Sequence, residues 1–114
     1  MNIIYCFSGT GNSLHVAKLL GKEINADVRP MTLNREQTDA AVVGFVFPAY
    51  FWGLPHMVSQ FISQIEMTNP DAYVFTVVTY GGKIFGISGL VKRLLKQKGI
   101  KLHYANQIKS VENY

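Results

Sequence analysis

Three stretches of this chain are apolar almost without interruption: Ile3–Phe7, Ala40–Phe47 and Ala72–Thr79. Runs of this length without polar alternation predict strands covered on both faces, as in a parallel sheet. Between and after them the period changes. Leu14, Val16, Ala17, Leu19, Leu20 and Ile24 recur at helical spacing, with Lys18, Lys22 and Glu23 on the other face, which predicts a helix over Ser13–Glu23. A second helix is expected from Pro55, a residue suited to a first helical turn, with Met57, Val58, Phe61, Ile62 and Ile65 inward. A third spans Gly86–Lys98, with Ile87, Leu90, Val91, Leu94 and Leu95 on one side and Gly99 as its stop signal. Weaker signals predict a short strand over Asp27–Leu33, where Pro30 argues for an edge or a bend, and a last strand over Ile100–Ile108. Asn34–Asp39 is polar and reads as a turn or short helix, and Asn69-Pro70-Asp71 as a turn.

Strands alternating with helices imply right-handed crossovers and a doubly wound parallel sheet of five strands in a three-layer α/β architecture. The 114 residues form one domain, 1–114, with no repeat, linker or low-complexity segment. Apolar residues make up 48% of the chain and charged ones 16%, against about 25% in an average soluble protein. That balance fits buried parallel strands and a surface that another molecule covers.

The net charge of +4 does not come from a basic run. Lys92, Arg93, Lys96, Lys98 and Lys101 gather toward the C-terminal end at spacings of a solvated helix face, without the interleaved aromatics of a nucleic-acid-binding stripe. The single cysteine, Cys6, sits inside the first apolar run and reads as a small buried hydrophobe. No disulfide can form within the chain, and one Cys with three scattered His does not make a zinc site, so a reducing, cytoplasmic setting is expected. No apolar stretch reaches the ~18 residues of a membrane span.

The chemistry gathers in three loops. In Ser8-Gly9-Thr10-Gly11-Asn12-Ser13 every residue is small, hydroxylated or an amide, and the segment joins the first strand to the first helix. Glycines let backbone N–H groups turn toward a ligand, and the helix N-terminus adds partial positive charge, so the segment can cradle a phosphate without a cation. The same composition also serves ordinary strand-to-helix turns. Gly11 is followed by Asn12-Ser13 and not Lys-Ser/Thr, which excludes a Walker A loop. Leu14 stands where a dinucleotide fingerprint needs its third glycine. The second loop, Pro48-Ala49-Tyr50-Phe51-Trp52-Gly53, is rich in flat apolar side chains; the third, Thr79-Tyr80-Gly81-Gly82, combines an aromatic with two glycines. In a doubly wound sheet all three lie at the carboxyl ends of the strands, where ligands bind. A phosphate at one end and a planar ring at the other would satisfy all three.

These loops resemble those of the flavodoxins. The first looks like their phosphate loop, and the second and third look like their two isoalloxazine loops. The nearest likeness, a Phe-Ser-Gly-Thr-Gly-Asn-Ser start, is to the flavodoxin domain of flavodoxin–ferredoxin fusion proteins of anaerobic microbes. The resemblance implies noncovalent FMN cycling between oxidised and reduced forms in electron transfer. Ser8, Gly9, Thr10, Gly11, Asn12 and Ser13 would then meet the phosphate. Pro48, Ala49, Tyr50, Phe51, Trp52 and Gly53, with Thr79, Tyr80, Gly81 and Gly82, would surround the ring, with Tyr50 and Trp52 the candidates for covering it and Tyr80 an alternative. No general base or nucleophile is implied, and His15 and His56 read as surface residues of two first helical turns. Two departures from the family stand out: the loops carry no acidic residue, and no helix follows the fifth strand. The second leaves one sheet face uncovered beside the first helix. Such a face suits a piece of a longer protein whose remainder carries iron–sulfur clusters, a covering partner, or self-association. The implied partner is a redox protein or a fused iron–sulfur domain, with neither nucleic acid nor membrane. An NAD(P)H- or quinone-dependent flavin reductase on the same fold, and a truncated domain without cofactor, are the alternatives.

Overall fold

The centre of the molecule is the pair of apolar strands that the sequence marks most strongly. A computed structural model describes residues 1–8, 11–50, 53–81 and 87–109. In chain order they form β1 (Asn2–Cys6), α1 (Asn12–Ile24), β2 (Asp27–Pro30), β3 (Gln37–Thr38), β4 (Val42–Pro48), α2 (His56–Gln64), β5 (Glu66–Met67), β6 (Tyr73–Tyr80), α3 (Ile87–Gln97) and β7 (Tyr104–Lys109). Five strands make one parallel sheet in the order β2-β1-β4-β6-β7, so β4 and β6 lie inside it. Val43–Phe47 and Val74–Thr79 are buried throughout, as their unbroken apolar runs require.

Strand alternation divides the core in two. Ile3, Tyr5, Val43, Phe45, Val74 and Val78 pack toward Val58, Phe61 and Ile62 of α2 and Val91 and Leu95 of α3. Ile4, Cys6, Val46, Phe75 and Val77 face Ala17, Val16 and Leu20 of α1. On that second face α1 packs on β1 and β4, touches β6 only at its margin, and leaves β7 bare. All six residues of β7 are exposed, and Tyr73, Tyr104 and Ile108 are 45%, 51% and 38% accessible. On that face the described residues leave β7 and Tyr73 uncovered, while Phe75 and Val77 of β6 are buried. Where Phe75 reaches back from β6 toward α1, its ring lies over Gly44 of β4. A Cβ added at Gly44 would stand 2.2–2.7 Å from three ring atoms.

Two short strands have no counterpart in the sequence pattern. Gln37 and Thr38 pair in parallel with Glu66 and Met67, so the polar Asn34–Asp39 segment is in part a strand. The Glu36 C=O accepts from the Glu66 N–H at 2.8 Å. The Glu36 carboxylate in turn receives the Tyr5 hydroxyl at 2.8 Å and lies 3.5 Å from Arg29, which also faces Asp27 at 3.6 Å.

Burial, then the bond to Glu36 and its charge, push the Tyr5 phenol far above the ordinary range. Burial alone pushes the Cys6 thiol from 9 up to about 11. Both groups are held neutral by the fold, and both folded pKa values lie above the unfolded ones. Stability is therefore whole below the unfolded values and is lost as pH rises through them. The thermal midpoint is expected to hold to pH about 8.5 and then fall. Cys6→Ala should remove the part of the fall that begins near pH 9, and Tyr5→Phe the part that begins near pH ~10. A midpoint flat to pH ~11, measured by circular dichroism, would contradict both assignments.

Candidate functional site at the carboxyl edge of the sheet

The ends of β1, β4 and β6 bring the three loops side by side. After β1, Phe7 continues one step beside β4, its N–H donating to Val46 C=O at 3.0 Å. Ser8 then turns its Oγ to accept the Gly11 N–H at 2.8 Å. Gly11 caps α1 with φ 95°, a left-handed conformation open to glycine, and its C=O accepts the His15 N–H at 3.0 Å. Gly11 has no side chain with which to cap the first-turn N–H groups, and that turn contains no acidic residue. Among the described residues the positive end of α1 carries neither a side-chain cap nor an acidic neighbour in its first turn, an arrangement that suits an anion. Gly9 and Thr10 lie outside the described residues.

Ser13, the next residue but one, is turned inward. Its Oγ and Thr79 Oγ1 are 2.8 Å apart, with the two residues 1% and 2% accessible. One hydrogen bond therefore ties the first turn of α1 to the end of β6. That bond uses one of the three hydrogen-bonding capacities of the Ser13 hydroxyl, and the helix end also offers the backbone N–H of this residue.

Thr79 also accepts the Ala49 N–H on its C=O at 2.8 Å, which fixes the second loop against the third. Beyond Ala49, Tyr50 and Gly53 exchange both backbone hydrogen bonds at 2.9 Å and close a tight turn. Gly53 has φ 129°, a region left to glycine. Phe51, Trp52 and Gly82 lie outside the described residues. Pro48 and Tyr50 are half-buried beside the buried Ala49, and Tyr80 is half-buried beside the exposed Gly81. Ser8 and Asn12 are half-buried on the first loop. His15 and His56 are both exposed at their helix starts.

The described part of the site is built from backbone donors, hydroxyls and half-buried aromatics, and it holds no carboxylate. Such a set can bind and orient a ligand. Cys6, at the end of β1, is buried with a raised pKa and remains a thiol at neutral pH. The two bonds that converge on Thr79 could not be anticipated by motif. Their partners lie 66 and 30 residues away, and the only signal in the sequence is a hydroxyl at the end of one element facing another across the sheet.

This architecture is the flavodoxin-like fold. Among solved structures, the chain superposes on a candidate flavoprotein from Bacteroides uniformis with a TM-score of 0.77 at 12% identity, over 97% of this chain and 90% of that one. The flavodoxin of Streptococcus pneumonia TIGR4 gives 0.70 at 14% identity, over 98% and 86%. Two-electron reduced Megasphaera elsdenii flavodoxin gives 0.67 at 19%, over 95% and 85%. No family model and no curated protein matches the sequence. No helix among the described residues is long and apolar enough to cross a membrane.

Proposed function

We propose that this chain is an FMN-binding electron-transfer domain. The observation that carries it is the Thr79 junction. One residue braces the open N-terminus of α1 against the aromatic turn after β4 and the Tyr80-Gly81 segment after β6. A ligand with a phosphate at one end and a flat ring at the other bridges those elements. Bound there, FMN would supply reversible one- and two-electron chemistry. The chain's own residues bind and orient it. The first-turn N–H groups of α1 meet the phosphate, and Tyr50 and Tyr80 flank the ring with backbone at Ala49, Gly53 and Gly81 near its polar edge. Likeness to flavodoxins in fold supports the reading, as do the loop residues that resemble theirs. Electrons would pass to a partner protein or a linked iron–sulfur domain in the cytoplasm.

The test is a titration of the purified protein with FMN and with riboflavin, followed by flavin absorbance and fluorescence. FMN is expected to bind at least tenfold more tightly, because only FMN reaches the end of α1. Equal affinity would place the phosphate elsewhere, and no binding of either would end the proposal. Steady NADH consumption by the loaded protein without a separate reductase would replace it with the flavin reductase alternative.

A further inference from the structure

The sheet has two edges, and they are treated differently. The β2 edge is four residues long, closes on Pro30, and carries the ion pair of Asp27 and Arg29. These are the usual means of stopping another strand from adding. The β7 edge is longer and carries a single charge, at its last residue. Tyr104-Ala105-Asn106-Gln107-Ile108-Lys109 contains no proline and no charge before Lys109, pairs on one side with β6, and is exposed along its length.

Its backbone is held in place for pairing. The His103 N–H donates to Val74 C=O at 2.8 Å, and the His103 ring accepts the Val74 N–H on Nδ1 at 3.1 Å. The ring also lies 5.0 Å from that of Tyr73. With the His103 N–H turned toward β6, strand alternation turns the N–H and C=O groups of Tyr104, Asn106 and Ile108 outward. Gln107 N–H donates to the Asn106 side-chain oxygen at 2.9 Å.

The charge of this side is predominantly basic. From Ala72 to Val111 the sequence holds no Asp or Glu, while Lys92, Arg93, Lys96, Lys98, Lys101 and Lys109 fall within it. The ion pairs among the described residues involve Arg29 and Arg35. Two carboxylates reach this side from other elements: Asp71 shares a groove with Lys98, Lys101 and His103, and Glu66 one with Lys98. Beside the start of β7, Lys92, Lys96 and Lys101 line one groove of about 420 Å³ with Ile100 and Leu102.

We propose that the outer edge of β7 is a strand-addition site for an extended acidic segment of a partner protein. Main-chain bonds to Tyr104, Asn106 and Ile108 supply affinity, and the partner's carboxylates meet Lys109 at one end and the lysine-lined groove at the other. Opposite charge also speeds the encounter. A second copy of this chain would bring two basic flanks together, and a nucleic acid has no strand backbone for the outward groups to pair with. The site does not depend on the flavin reading.

The probe is a capped seven-residue peptide of alternating Glu and Val, labelled for fluorescence anisotropy at low ionic strength. Isotope-labelled protein reports the amides. Saturable binding is expected, with amide shifts centred on Tyr104, Asn106 and Ile108. N-methylation of alternate peptide residues, exchange of Glu for Lys in the peptide, and the Lys101→Glu/Lys109→Glu double variant should each weaken it at least tenfold. Asn106→Pro removes an outward N–H, together with the side-chain oxygen that accepts the Gln107 N–H, and should abolish binding with the fold retained; Asn106→Ala, which removes the side-chain oxygen alone, should leave binding unchanged. If the proline variant unfolds, the N-methylated peptide and the lysine variants decide. Equal affinity for the N-methylated peptide, or no binding at low salt, overturns the proposal. Self-association that excludes the peptide assigns the edge to a second copy, and tighter binding of a single-stranded oligonucleotide at the same amides assigns it to nucleic acid; either also overturns it.

Discussion

Gly44→Val is expected to destabilise the fold by ~3 kcal/mol, the upper end of what overpacking a core costs. The position lies on β4, between β1 and β6, and it is buried. Its missing side chain is the space the Phe75 ring occupies, since a Cβ there would meet three ring atoms at 2.2–2.7 Å. Strand glycines ordinarily weaken a sheet, and this one is retained because a neighbouring ring approaches the backbone. Displacing the ring would expose apolar area now 7% accessible. Phe75→Ala in the Gly44→Val background should therefore recover part of the loss. The cycle should show a coupling of at least ~1 kcal/mol between the two sites, read from denaturant unfolding. Additive single effects would mean that the ring is not what excludes a side chain at Gly44.

The strongest elements were legible because burial leaves a signature in the chain. β4 and β6 agree with their apolar runs to within two residues at each end, and α1 and α3 agree with their periodicity to one residue. The parallel pairing of the five-stranded sheet follows from the alternation of elements. What was not legible has physical reasons. β3 and β5 are two residues each, too short to show any period, and depend on backbone bonds between segments thirty residues apart. The last strand was expected from Ile100, yet it begins at Tyr104. Ile100 and Leu102 are apolar because they pack into the α2–α3 core while the chain leaves α3 through Gly99, at φ 74°. Similarly, the Asp27–Leu33 pattern continues past the end of β2 because Met31 is a core residue. At the site, the location of the three loops followed from topology and their composition. The bond between the Ser13 and Thr79 hydroxyls did not: its partners stand 66 residues apart and are brought together only by the fold.

Thr79→Val separates the structural part of that pair from its part in ligand binding. Valine keeps the shape and removes the hydroxyl, leaving Ser13 Oγ buried without its partner. That should cost ~1–3 kcal/mol, the penalty of an unsatisfied buried polar group. Adding Ser13→Ala removes the stranded hydroxyl, and replacing both partners by apolar groups is close to neutral. Stability should therefore fall in the single variant and return in the double. Flavin affinity should not return, because in both variants nothing ties the first turn of α1 to the end of β6. FMN is expected to lose about tenfold, or ~1.4 kcal/mol, in each, measured at a temperature where both variants are fully folded. Riboflavin, which lacks the group that reaches α1, should lose much less. A purely structural pair would give the opposite pattern, with FMN affinity following stability and recovering in the double variant. Equal losses for FMN and riboflavin would instead place the effect at the ring end, through the Ala49 N–H that shares Thr79.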